Sequence, residues 1–216
     1  MKATKWKSYS LALIAGMSVL TACSSDDNND NGGNGNNGNG NEIENSTTLK
    51  GTITSDVTLT AGSTYKLSGE YIVEDGATLN IEAGVKIISI YDDIVDYILV
   101  KQGGKINAVG TSSAPIVMTS EKEEPGAWGG IHICGKAHTN AEGGKGSSEI
   151  GGATYGGNDD ADNSGTLKYV RVEYSGYAFD SEHEANGITF YGVGNGTTVE
   201  YCQAYKGSDD GFEFFG

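Results

Sequence analysis

Beyond Asn45 the chain shows no amphipathic helical pattern of useful length; short apolar runs alternate with glycine turns instead. The runs are ATLNIEAGVKI (77–87), YILVKQGGKINAVG (97–110), APIVMTS (114–120), GGIHICG (129–135), TLKYVRVEYSG (166–176), GITFYGVG (187–194) and TVEYCQAYKG (198–207). Apolar runs this short, bounded by turn residues, predict strands. Two stretches repeat more closely. GGIHICG followed by TLKYVRVEYSG answers to GITFYGVG followed by TVEYCQAYKG, which sets Ile131 and Ile133 against Ile188 and Phe190, Leu167 against Val199, and Tyr169 against Tyr201.

A strand-turn unit of this size cannot bury its apolar face alone, and stacking successive coils solves the problem. The pattern therefore predicts an all-β domain over 46–216, a right-handed parallel β-helix, with an Asp/Asn/Gly-rich loop insertion at 136–165. The alternative for many short strands is a β-sandwich, which favours hairpin turns; Asp75-Gly76 and Asn195-Gly196 are dipeptides of that kind. In the solenoid, strand alternation turns Val170, Val172, Cys202 and Ala204 inward and Arg171, Glu173 and Gln203 outward. Cys134 follows the inward Ile133 and so faces away from it, which argues against a Cys134–Cys202 bridge.

The first forty-five residues have a different character. Lys2, Lys5 and Lys7 precede an apolar run of about ten residues, Leu11 to Leu20, short of the roughly twenty that a membrane-spanning helix needs. Residues 1–22 read as a secretory signal. LTAC, Leu20 to Cys23, resembles the lipobox of bacterial lipoproteins, in which cleavage precedes the cysteine and its thiol takes up lipid; the resemblance makes Cys23 the anchor to a membrane. Two or more acyl chains, at about 0.8 kcal/mol per buried methylene, hold stably where one does not. From 23 to 45 the chain is almost entirely polar, acidic and glycine-rich, a flexible tether reaching roughly 25 Å. CSSDD resembles the export signal that sends lipoproteins of the Bacteroides group to the outer face of the outer membrane, so the domain is expected to face the cell exterior.

Taking Lys2, Lys5 and Lys7 from a net charge of −15 leaves −18 for the processed chain. Nucleic acid is excluded as a partner by that balance, because its affinity comes mostly from phosphate neutralisation. About 170 residues follow the tether, which bounds the protein to one domain.

The runs WGGIHICGKA, YGGNDDADNSGTLKYVRVEYSG and GITFYGVGNGTTVEYCQAYKGSDDGFEFFG together resemble a family of exported lipoproteins of the Bacteroides group with a pectin-lyase-like β-helix. The resemblance runs from about Lys50 to Gly216. In such proteins the chain continues beyond DDGFEFFG, and Phe212, Phe214 and Phe215 read as a strand entering a further coil. The expectation is an N-terminal portion of a longer solenoid.

Candidate chemistry is sparse. DADNSG, Asp160 to Gly165, has the early positions of a calcium loop, but Arg171 stands where the bidentate glutamate belongs; an EF-hand is excluded, a looser calcium site at Asp159, Asp160 and Asp162 is not, and a solvated acidic turn is the favoured reading. No cofactor other than calcium is expected. GSDDGFE offers Asp209, Asp210 and Glu213 as carboxylates for glycoside hydrolysis, which needs two of them about 5 Å or about 6.5 to 9.5 Å apart. Turn chemistry explains the same residues. Lys168 falls one coil from Glu200, so a cross-coil ion pair accounts for it, leaving Arg171 as the outward cation.

Tyrosines crowd the second half, and the repeat stacks Tyr169 on Tyr201. An outward ladder of this kind is a platform for sugars; an inward one is ordinary packing. The functional expectation is a surface lipoprotein that binds glycan through Tyr169, Tyr201 and Arg171. A carbohydrate-active enzyme, lyase or hydrolase, is the alternative from another class, and a structural spacer or adhesin is the third.

Overall fold

The computed structural model describes residues 47–180 and 183–216. Cys23, the signal segment and the tether lie outside them. The chain opens with Thr48–Ile53 (β1), then Val57–Leu59 (β2) and Thr64–Val73 (β3). Two coils of three strands follow: Thr78–Ile81 (β4), Lys86–Ser89 (β5) and Tyr97–Val100 (β6), then Lys105–Val109 (β7), Ile116–Ser120 (β8) and Ile131–Cys134 (β9). The insertion carries Gly146–Ser147 (β10) and Thr154–Tyr155 (β11). Two more coils complete the described chain: Gly165–Lys168 (β12), Val170–Glu173 (β13) and Ile188–Tyr191 (β14), then Thr198–Glu200 (β15), Gln203–Tyr205 (β16) and Phe212–Phe215 (β17).

Each strand of the coils pairs in parallel with its counterpart one coil away, producing a parallel β-helix with three faces. The first face is β2-β4-β7-β12-β15. The second joins the early half of β3 to β5, β8, β13 and β16, and the third joins its later half to β6, β9, β14 and β17. Strand β3 serves both because it turns at Gly69, whose φ of +71° is open to glycine at little steric cost. The sandwich alternative is excluded by this pairing. Asp75-Gly76 and Asn195-Gly196 are coil corners between parallel strands; antiparallel pairing among the described residues is confined to β10–β11 and a bridge from Ala178 to Glu184.

Inside, like residues stack on like. Ile98, Ile131, Ile188 and Phe212 form one row of the third face, and Val100, Ile133, Phe190 and Phe214 the next. The register of β9 with β14 and of β12 with β15 matches the internal repeat residue for residue. Val170 and Val172 are buried, and Cys202 packs against the same core. Each fully buried aliphatic side chain contributes roughly 1.5–3 kcal/mol, so stacking alone explains why a chain with so few long apolar runs folds.

The insertion is not a free loop. It lays Ile150, Ala153 and Tyr155 on the outer surface of the third face, against Leu99, Cys134 and Tyr191, in a second apolar cluster outside the solenoid. Cys134 is fully buried there, on the opposite side of the wall from Ile133, and both Cys134 and Cys202 are free thiols.

Candidate functional site

The outer side of the third face carries the most unusual polar chemistry. Leu99, His132, Thr189 and Glu213 follow one another in register, one per coil. His132 and Thr189 are both fully buried. The His132 Nε2 lies 2.7 Å from the carbonyl oxygen of Gly129, which assigns the proton to that nitrogen, and burial pushes the imidazole down to about 4. Its ring is flanked by Tyr97 at 6.1 Å and Tyr191 at 6.2 Å between centroids.

At the end of the row Glu213 accepts a 2.5 Å hydrogen bond from the side-chain amide of Asn186. Burial pushes its carboxyl up to about 7, and Glu149, Asp210 and Asp209 add to the rise. Glu149 comes from the insertion. Its own carboxyl is raised, chiefly by burial, then by Glu184 and Asp209, with His183 opposing. Of the three acids expected from the sequence, Glu213 therefore projects from a strand with a perturbed carboxyl. Asp209 and Asp210 are exposed in the turn before β17, as turn chemistry predicts, and act on Glu213 through charge. Glu149 and Asn186 were not legible as partners, because the insertion and the segment before β14 come to Glu213 only through the fold.

The calcium candidates are not gathered. Asp159 Oδ1 accepts from the backbone of Ala161, Asp160 Oδ1 from the backbone of His138, and Asp162 Oδ2 from the Ser164 hydroxyl. Asp159 and Asp162 are engaged within their own turns, Asp160 ties the loop to His138, and among the described residues no three His, Cys, Asp or Glu side chains are grouped to hold a metal.

The tyrosine ladder is present and outward but differs from a platform. Tyr169 and Tyr201 stack at 4.6 Å, 11° from parallel, so the face each ring turns to the other is spent within the stack. Rings stacked along the solenoid axis present their edges sideways, where a sugar needs a face. Lys168 forms the cross-coil pair with Glu200 at 2.7 Å, and its ammonium also lies 5.6 Å from the Tyr201 centroid. Arg171 pairs with Glu173 at 2.6 Å and lies over the Tyr205 ring at 4.4 Å, which accounts for this cation within the protein.

A recess more suited to a ligand lies at the corner between the second and third faces. Residues 90–95, Lys122, Glu124 to Ala127 and Tyr177 line a cleft of about 340 Å³, with Tyr91, Asp92, Ile94, Lys122 and Glu124 as its most prominent side chains. Tyr91 and Ile94 are 56% and 60% exposed. Lys122 donates to the Tyr91 hydroxyl at 3.0 Å and pairs with Glu124 at 3.1 Å. Below the cleft Asp96 is buried, accepting from Gly69 N at 2.5 Å and from the Ser89 hydroxyl at 2.7 Å.

The profile of the pectate-lyase like beta helix domain matches residues 51–216. The chain belongs to that family. Neither a curated protein nor a solved structure matches it. In a pectate-lyase-like β-helix the wall of stacked strands is a scaffold, and loops at its corners vary the chemistry; shared fold alone assigns no reaction.

Proposed function

We propose that the chain is a lipoprotein of the Bacteroides-group type, anchored through Cys23 in the outer membrane and exposed outside the cell, whose β-helix binds glycan. The observation that carries the binding reading is the corner cleft: about 340 Å³, within the range of small-ligand sites, with exposed Tyr91 beside hydrogen-bonding carboxylates. Sugars are held by such a combination of an aromatic surface and fixed acceptors. This moves the binding residues from Tyr169, Tyr201 and Arg171, which line no part of this cleft, to Tyr91 and Tyr177, which do, and where the Lys122 ammonium 4.4 Å from the Tyr91 centroid and Phe179 edge-on to Tyr177 hold the two rings in place.

A glycan array probed with the purified chain tests the reading. Binding is expected for at least one glycan, weakened about tenfold or more by Tyr91→Ala or Tyr177→Ala, and little changed by Arg171→Gln. An array without signal overturns it. For the anchor, Cys23→Ser is expected to move the protein from the membrane to the soluble fraction; retention in the membrane overturns that part.

One observation favours the second reading, a carbohydrate-active enzyme: Glu213 holds a carboxyl at about 7 beside a second raised carboxyl, Glu149, the environment of a general acid. Polymer cleavage abolished by Glu213→Gln supports it, and no cleavage across neutral and uronate polymers counts against it.

A further inference from the structure

The corner cleft is biased in charge as well as in shape. Beside the apolar surface of Tyr91 and Ile94, its charged side chains are Asp92, Asp93, Glu124 and Lys122, three carboxylates against one ammonium. That ammonium is already committed within the protein. It donates to the Tyr91 hydroxyl at 3.0 Å, pairs with Glu124 at 3.1 Å and lies 4.4 Å from the Tyr91 centroid. The negative potential extends beneath the cleft, where the buried Asp96 is held above its ordinary range by burial first, with the charge of Asp92 adding to the rise.

The hydrogen-bonding groups are biased the same way. Asp92 Oδ1 accepts from the Ile94 backbone at 2.8 Å and Glu124 Oε2 meets Lys122, so each carboxylate keeps a second oxygen as an acceptor. The Tyr91 oxygen accepts from Lys122, which leaves its own O–H to donate. The cleft therefore offers more acceptors than donors, and the ligand that satisfies it brings donors. A sugar hydroxyl brings one donor without charge. A uronate carboxylate at pH 7 accepts only, and is negative.

We propose that this cleft selects a glycan free of carboxylates and rejects uronate polymers, in a family named for a lyase of the acidic polymer pectate. The inference rests on the glycan-binding reading and names its ligand class. Turning Lys122 toward a uronate takes it from Glu124, so the lining gains one ion pair by losing another and the ligand adds a fourth negative charge. A bridging calcium ion is the other way to hold a uronate against acids, and it needs several oxygen ligands gathered around it. Among the described residues no three His, Cys, Asp or Glu side chains are so grouped. Like charges set against the wrong partner are a general means of selection, and because these acids are exposed the effect is screened by salt.

The test is calorimetric titration of the full chain at pH 7 and low salt with matched pairs of tetramers: glucose and glucuronate, galactose and galacturonate, mannose and mannuronate. Each is measured in EDTA and again in millimolar calcium. At least one neutral tetramer is expected to bind, about tenfold or more tightly than its uronate partner in both buffers. Sodium chloride is expected to narrow that ratio. The double variant Asp93→Asn with Glu124→Gln removes two of the three negative charges and is expected to narrow it about fivefold or more, while thermal unfolding shows a folded protein. A uronate that binds as tightly as its neutral partner or more so, in either buffer, overturns the selection and leaves glycan binding standing. A ratio that neither salt nor the double variant changes overturns charge as its cause. No binding of any tetramer overturns the inference, and together with a silent array it overturns the glycan reading as well.

Discussion

Tyr169 and Tyr201 stack with ring centroids 4.6 Å apart, and each stands in the left-handed backbone region, at φ +50° and +55°. Tyr169 alone joins the first face to the second in its coil, and Tyr201, followed by Cys202, does so in the next. A non-glycine residue pays about 1 kcal/mol or more for that conformation, and an aromatic pair returns about 0.5–1.5 kcal/mol beyond area burial. The stack is thus a compensation for a strained corner.

The balance gives an unusual mutational order. Tyr169→Ala keeps the strained corner and loses the stack, so urea unfolding is expected to show a loss of about 1 kcal/mol. Tyr169→Gly loses the same stack but relieves the corner, so it is expected to be close to neutral. Glycine proving worse than alanine at this position overturns the argument.

A second backbone test separates space from conformation. Gly165, where the insertion returns to β12, has φ +117°, and a Cβ there falls 2.0 Å from the carbonyl oxygen of Ile106 on the neighbouring coil. Gly143, inside the insertion, has φ +72° and nothing within 4 Å of its Cβ position. Gly165→Ala is expected to reduce the thermal midpoint severely or prevent folding, whereas Gly143→Ala costs about 1 kcal/mol.

The fold was legible because its energetics are one-dimensional. Each coil buries its apolar side against the next, so the same residue types recur at the same places, and aligning Ile131 with Ile188 or Tyr169 with Tyr201 reads the register directly. The ion pair of Lys168 with Glu200 was legible for the same reason. The site was not. The charge of Glu149 acts on Glu213 because the insertion docks Ile150 and Tyr155 outside the solenoid, where there is no repeat to align. The recess at Tyr91 likewise arises from loops of different coils meeting at a corner. The aspartates at 159, 160 and 162 resembled a metal loop in spacing alone, which carries no information on where their oxygens point.

Asp96 ties neighbouring coils together beneath the corner cleft. Asp96→Ala leaves the Gly69 N–H and the Ser89 hydroxyl without their acceptor in a buried place, for an expected loss of roughly 2–4 kcal/mol. Asp96→Asn keeps one acceptor oxygen and is expected to lose less. Burial pushes the carboxyl up to about 6 from an ordinary 3.8, so the charged form is the one the fold disfavours. Its stabilising contribution is full below pH 4 and falls as pH rises to about 6. Comparing chemical denaturation of wild type and Asp96→Asn across that window checks the sign.

Glu213 supplies the counterpart nearer neutrality. Its folded-state carboxyl sits at about 7 against an ordinary 4.5, raised by burial first and by Glu149, Asp210 and Asp209 after it. Between those two values the unfolded chain has released the proton and the folded chain still holds it. Stability from this group is therefore greatest at or below about pH 4.5, declines as pH rises to about 7, and is level beyond. Glu213→Gln removes the titration and keeps an amide that can meet Asn186, so the variant is expected to gain on wild type progressively from about pH 4.5 to 7 and hold that gain above it. Because Glu149 adds to the rise, Glu149→Gln is expected to shift the midpoint of the decline to lower pH and leave it present. Sodium chloride weakens the charge repulsion within the cluster more than the effect of burial, so high salt should narrow the wild-type decline without abolishing it. A variant Glu213→Gln whose stability tracks wild type at every pH overturns the assignment of this carboxyl.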